Sequence, residues 1–185
     1  GPTTAILDAL GRGGMDLLRR YPDPAPLEAQ LAARLNVKPA QVLVTAGADD
    51  ALDRVCRVTL GPAREIVLPT PTFEMIPRYA KLAGGGVVPV QWSSGAYPLD
   101  SVLKRITANT AVVAVVSPNN PTGAVACAKD LEQLSRAARH AWILADLAYA
   151  EFADEDLTLA ALALPNAVVV RSLSKAWGLA GLRVG

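Results

Sequence analysis

The sequence predicts an α/β domain, a three-layer sandwich with a mostly parallel sheet covered by helices on both faces. Three observations lead there. Six short runs are β-branched and apolar on both faces, as strands buried between helices are. Segments with apolar residues every three or four positions lie between them. Runs and segments alternate along the chain, which calls for right-handed crossovers and a layered sheet.

The strand candidates are Val42–Val44, Glu65–Leu68, Val87–Val90, Ala111–Val116, Trp142–Ala145 and Val168–Val170. Among the helix candidates, Leu27, Leu31 and Leu35 repeat every four residues, and Pro26 suits a first helical turn. Leu52, Val55, Cys56 and Leu60 form a second apolar stripe, and Leu131, Leu134 and Ala138 a third. Gly84-Gly85-Gly86 reads as a turn between a helix and a strand. There is no internal repeat, low-complexity tract or long linker. The first twenty residues hold one weak helical pattern, and Arg183-Val184-Gly185 reads as the start of a further strand. Part of a longer chain is therefore expected, with an N-terminal segment over residues 1–25 and one large domain over 26–185.

Composition narrows the function. The 185 residues suffice for one domain with a sizeable core. Half are hydrophobic (51%) and the formal net charge is +1, a globular balance rather than a disordered one. Lys and Arg do not cluster, which argues against a nucleic-acid surface. No apolar run approaches the ~20 residues of a membrane span. Gly1-Pro2-Thr3-Thr4 has neither a basic segment nor an apolar signal core. Cys56 and Cys127 are too few for a disulfide scaffold and read as two small buried thiols in a reducing cytoplasm. The single histidine, His140, falls at a helix end, so chemistry that needs a histidine base or several histidine ligands is disfavoured.

Open parallel sheets bind ligands at the carboxyl ends of their strands, and four unusual polar segments follow strand candidates. Thr45-Ala46-Gly47-Ala48-Asp49-Asp50 combines a tight turn with a helix start. It is either a phosphate site or an ordinary start capped by Asp49 or Asp50. Ser117-Pro118-Asn119-Asn120-Pro121-Thr122-Gly123 fixes an irregular loop. Asn120, ahead of Pro121, is pushed out of helical conformation, so its amide can face a cleft, though turns also favour these residues. Asp146-Leu147-Ala148-Tyr149 sets a carboxylate at the end of a buried strand, which is costly unless a cation meets it or it caps a helix. In the run from Arg171 to Arg183, Lys175 sits among apolar and glycine residues, where an amine loses its proton readily. A loop lysine at the surface is the plain alternative. Ser172, Ser174 and Arg183 suit phosphate oxygens.

Taken together, these strings resemble the fold-type-I enzymes that use pyridoxal 5'-phosphate, specifically the class I/II aminotransferases and within them the histidinol-phosphate aminotransferase group. The likeness rests on Tyr21-Pro22-Asp23-Pro24, Gly47-Ala48-Asp49, Pro69-Thr70-Pro71-Thr72-Phe73, Ser117 to Gly123, Asp146 to Tyr149 and Ser172 to Arg183, nearly the whole chain. It implies that residues 26–185 are the cofactor-binding large domain, with a small domain beyond. Lys175 would hold the cofactor as a Schiff base and move a proton during catalysis. Asp146 would keep the pyridine nitrogen protonated, and Asn120 and Tyr149 would hydrogen-bond the ring oxygen. Phe73 would stack on the ring. Ala48 and Asp49, through backbone N–H groups, with Ser172, Ser174 and Arg183, would hold the phosphate. Tyr21 would reach the phosphate of a neighbouring subunit, which implies a homodimer. The implied reaction passes an amino group from an amino acid or amino-acid phosphate to a 2-oxo acid, in the cytoplasm.

Phe73 stands where that group often has tyrosine, and Leu147 where it usually has glutamate. The arginine that binds the substrate carboxylate would lie beyond residue 185. A decarboxylase of an amino-acid phosphate shares the same strings, and a regulator domain that binds the cofactor without catalysis retains the lysine. Ser172-Leu173-Ser174-Lys175 also fits the Ser-x-x-Lys of serine acyl-enzymes, but the Lys-Thr-Gly those enzymes need is missing. No nucleotide-binding glycine string follows a strand.

Overall fold

A computed structural model describes residues 3–185; Gly1 and Pro2 of the N-terminal reading lie outside the described residues. Five strands form one sheet: β1 (Glu65–Thr70), β2 (Gly86–Gln91), β3 (Thr110–Val116), β4 (Trp142–Asp146) and β5 (Ala167–Val170). Every neighbouring pair is parallel, in the order β2-β1-β3-β4-β5. The helices are α1 (Thr4–Gly13), α2 (Asp16–Arg19), α3 (Ala25–Leu35), α4 (Ala48–Thr59), α5 (Met75–Leu82), α6 (Leu99–Leu103), α7 (Ala128–Ala137) and α8 (Thr158–Leu162).

The two-faced strands produce two cores. Because successive side chains point to opposite faces, Ile66, Leu68, Val112, Ala114, Val116 and Leu144 meet Leu52 and Cys56 of α4 and Ile76 and Ala80 of α5. On the other face Val67, Val113, Val115, Ile143 and Ala145 meet Val102 of α6, Leu131 and Leu134 of α7 and Ala161 of α8. All seven residues of the central β3 are buried. Proline is tolerated at an outer strand, and Pro89 lies in β2 at the sheet edge. Burial pushes the Cys56 thiol up to about 11, so it packs as an unreactive group. Cys127 departs from the expectation of two buried thiols: it is exposed at the start of α7.

Topology locates the functional end of the sheet. From β1 the chain moves outward to β2, returns past β1 to β3, then continues the other way to β4 and β5. Crossovers of one hand put α5 on one face and α6, α7 and α8 on the other once the direction reverses. The loops after β1 and β3 therefore diverge, leaving a crevice at their carboxyl ends.

One strand candidate is not a strand. Val42–Val44 has no ladder partner among the described residues. The Val44 N–H donates to Glu28 Oε1 of α3 instead (2.9 Å), and Leu43 is exposed. Only Thr45 pairs, exchanging both backbone hydrogen bonds with Gly185 at 2.8 and 3.2 Å. Apolar β-branched residues favour extended backbone, but a strand also requires a neighbour. Arg183–Gly185 likewise forms no strand; Arg183 adopts a left-handed conformation, with φ of 53°.

Candidate active site

The most deeply buried carboxyl among the described residues ends the fourth strand. Asp146 is 4% exposed. Its backbone is held centrally, with the Asp146 carbonyl accepting the Ser117 N–H at 3.0 Å and the next N–H, that of Leu147, donating to Val170 at 2.9 Å. The pleat that buries Leu147 in the core beneath turns Asp146 up into the crevice. Burial is the main influence on the carboxyl and raises its pKa to about 6. The Ala148 N–H, donating to Oδ1 at 3.2 Å, and the charge of Lys175 pull the other way, while Asp49 adds to the rise.

Around this carboxylate the strand ends converge. Ala48, Asp49, Phe73, Asn120, Tyr149, Ser172, Ser174, Lys175 and Arg183 line one cleft with Asp146. Ten of the eleven residues singled out in the sequence thus share one site, although they come from five separate segments. The eleventh, Tyr21, is fully exposed and outside the cleft. Leu52, Val116, Ala148 and Ala180, not foreseen as lining residues, complete the walls. Lys175 Nζ lies 5.4 Å from the centre of the Tyr149 ring. The lysine is exposed at the cleft mouth, not enclosed by apolar neighbours as its local sequence suggested. The glycines and apolar residues beside it face outward, and Trp177 is itself half exposed.

One wall is suited to a phosphate. The helix start at Ala48 and Asp49 presents backbone N–H groups that have no intrahelical acceptor. Neither aspartate caps α4 in the usual sense: Gly47 is the cap residue, and Asp50 reaches back to accept the Ala46 N–H at 3.0 Å. Opposite, the buried Ser172 Oγ accepts the Ser174 N–H at 3.1 Å. The Arg183 guanidinium donates to the Ala46 carbonyl at 3.2 Å and lies 3.8 Å from Asp49.

Gly47 makes that approach possible. A Cβ built there would lie 2.7 Å from Arg183 Nη2, and the backbone, at φ 83° and ψ 172°, is in a region open essentially to glycine alone. Gly47→Ala is therefore expected to destabilise the chain by about 1–3 kcal/mol and displace Arg183. Denaturant unfolding tests the first effect, and weakened binding of phosphate-bearing ligands the second.

Two features of the site were not foreseen. The sequence pointed to Asn120, but its neighbour Asn119 is the buried one, at 2% exposure. Asn119 Nδ2 donates to the Pro71 carbonyl at 2.9 Å and to Thr122 Oγ1 at 2.8 Å, and its Oδ1 accepts from Thr72 at 2.7 Å. It ties the β1 loop that carries Phe73 to the β3 loop that carries Asn120. The second is a charged cluster behind Lys175. Arg171 donates to Glu151 Oε1 at 2.6 Å and to both oxygens of Asp156, at 2.8 and 3.1 Å, and also to Thr158 Oγ1.

The family profile described as aminotransferase class I and II matches residues 2–185. The chain belongs to this family. A histidinol-phosphate aminotransferase of Leuconostoc mesenteroides is 36% identical over 193 residues, covering 100% of this chain and 54% of that protein. An aromatic amino acid aminotransferase of Thermobifida fusca is 34% identical, covering 100% of this chain and 53% of that protein. The chain thus spans about half the length of the curated relatives it matches. Among solved structures, histidinol-phosphate aminotransferase from Sinorhizobium meliloti, in complex with pyridoxal-5'-phosphate, superposes with a TM-score of 0.89 at 26% identity. That superposition covers 100% of this chain and 52% of the other.

Proposed function

We propose that this chain carries the pyridoxal 5'-phosphate site of an aminotransferase whose donor is an amino acid or an amino-acid phosphate of the histidinol-phosphate kind, and whose acceptor is a 2-oxo acid. The observation that carries the reading is Asp146, a desolvated carboxylate facing a cleft that has an amine at its mouth and phosphate donors on one wall. The residues fit the cofactor's chemistry. A carboxylate whose pKa burial has raised ionises more readily beside a cation, and a protonated pyridine nitrogen is one. Asn120 and Tyr149 offer polar groups for the ring oxygen, Phe73 an aromatic face, and the α4 start with Ser172, Ser174 and Arg183 a set of phosphate donors.

When bound, the cofactor supplies an electron sink for the bonds at the substrate Cα. The protein's part is orientation and proton handling. Lys175 would hold the cofactor's aldehyde carbon and, once released, carry a proton at Nζ. Asp146 would retain its negative charge opposite the ring nitrogen. Tyr21, exposed on the N-terminal segment, is assigned to the cleft of a second copy in a homodimer, and a cytoplasmic setting suits the reaction.

Titration with pyridoxal 5'-phosphate tests the reading. A visible absorbance band is expected, and borohydride should then fix the cofactor on the peptide that contains Lys175. Attachment at Lys38, Lys81, Lys104 or Lys129 instead would refute it.

A further inference from the structure

We propose that Glu151 is a positioning residue that holds the Lys175 loop in register with the Tyr149 loop, through Arg171 on one side of the lysine and Trp177 on the other. The inference rests on the assignment of Lys175 as the amine that captures the cofactor. Glu151 Oε1 accepts from Arg171 Nη2 at 2.6 Å and from Trp177 Nε1 at 2.9 Å. The two donors bracket Lys175, four residues before it and two after it. Glu151 itself follows Tyr149 by two residues, and the Tyr149 ring is the group over which Nζ sits.

Little regular structure fixes this loop. Between β5 and residue 180 its own backbone bonds are Gly178 N–H to Lys175 at 3.0 Å and Leu179 N–H to Leu173 at 3.0 Å, with Leu173 N–H to Val184 at 3.1 Å. Those bonds shape the loop but do not tie it to the β4 side of the cleft. Glu151 does. Its side chain is 22% exposed and that of Arg171 31%, so the pair is partly shielded from screening. Arg171 is in turn held by Asp156 and Thr158 at the start of α8, which makes the guanidinium a fixed post rather than a mobile surface charge. Charge-assisted bonds of this length are the strong ones, and a shift of about 1 Å in a reacting group can cost about 10²-fold in rate.

The test separates amine placement from cleft integrity. Capture joins the Lys175 nitrogen to the aldehyde carbon of pyridoxal 5'-phosphate with loss of one water, and its rate is read from the growth of the visible band. Binding of 4'-deoxypyridoxine 5'-phosphate, which has no aldehyde, reads the rest of the cleft. Glu151→Ala is expected to slow capture by about 10-fold to 10²-fold while the analogue's Kd stays within about twofold. Trp177→Phe, which keeps an aromatic ring but loses the N–H, should slow capture by several-fold. The double variant should be no slower than Glu151→Ala alone, because both changes remove the same bond. If Glu151→Ala fails to fold, Trp177→Phe decides on its own. Wild-type capture rates in both variants, or a parallel loss of capture and analogue binding, would overturn the proposal. A wild-type chain that captures nothing refutes the cofactor reading itself, and the inference falls with it.

Discussion

Lys175→Ala is expected to abolish covalent capture of pyridoxal 5'-phosphate and to lower any transamination by about 10⁴-fold, the upper end of what one positioned proton carrier contributes. The cleft has a single lysine. Its Nζ faces the Tyr149 ring, and its charge acts on the buried Asp146. On the proposed reading, removing it takes away the one lysine amine that lines the cleft, whereas the proposed phosphate donors are Ser172, Ser174, Arg183 and the α4 start. Non-covalent binding should therefore persist, giving a variant that takes up the cofactor without the visible band. Lys175→Arg sharpens the argument: a guanidinium keeps the positive charge but does not give up its proton. If charge alone were needed, arginine would restore function; the expected result is that it does not. Spectral titration, borohydride trapping and turnover on the three proteins test this together. An alanine variant that still traps cofactor at another lysine would sink the assignment.

The layered architecture was legible because buried parallel strands have an unusual composition. Ala111–Val116 and Trp142–Ala145 are apolar at successive positions, as suits strands with helices on both sides, and their shortness favours strand over helix. Val42–Val44 has the same composition and misled for that reason: residue type reports a preference for extended backbone, not the presence of a partner. Most of the cleft was legible through position, since polar residues that follow parallel strands gather at the strands' carboxyl ends; Ala48 and Asp49 reach it from the start of α4 instead. Lys175 shows the limit of that logic. Its neighbours in sequence are apolar, yet its neighbours in space leave it exposed. Asn119 and Glu151 were invisible for a related reason. Asn119 bonds residues 48 positions away and Glu151 residues 20 and 26 away, and no local pattern encodes such partners.

Asp146→Asn is expected to act in opposite directions on stability and on catalysis. Burial raises the Asp146 pKa to about 6, above the ~3.9 of an exposed aspartate. With the folded value above the unfolded one, the native state binds the additional proton between about pH 4 and pH 6. The cofactor-free chain is therefore most favoured by this group below about pH 4 and loses stability as pH rises through 6, by on the order of 3 kcal/mol in all. Asparagine has the same shape and no such titration. The variant should lack this fall and be more stable than wild type at pH 7 by roughly 1–3 kcal/mol, as read from denaturant unfolding across the range. Catalysis should move the other way. An amide cannot hold a proton on the ring nitrogen by charge, and losing one electrostatic contact of this kind costs about 10²–10³-fold in turnover. Added pyridoxal 5'-phosphate should accordingly raise the unfolding midpoint of wild type more than that of the variant. Identical responses of the two proteins to cofactor would mean that the carboxylate does not meet the ring nitrogen. A pH dependence unchanged by the substitution would mean that Asp146 is not the desolvated group. Buried as it is, with the charge of Lys175 offsetting only part of the cost, Asp146 is expected to gain stability from any cationic group bound against it.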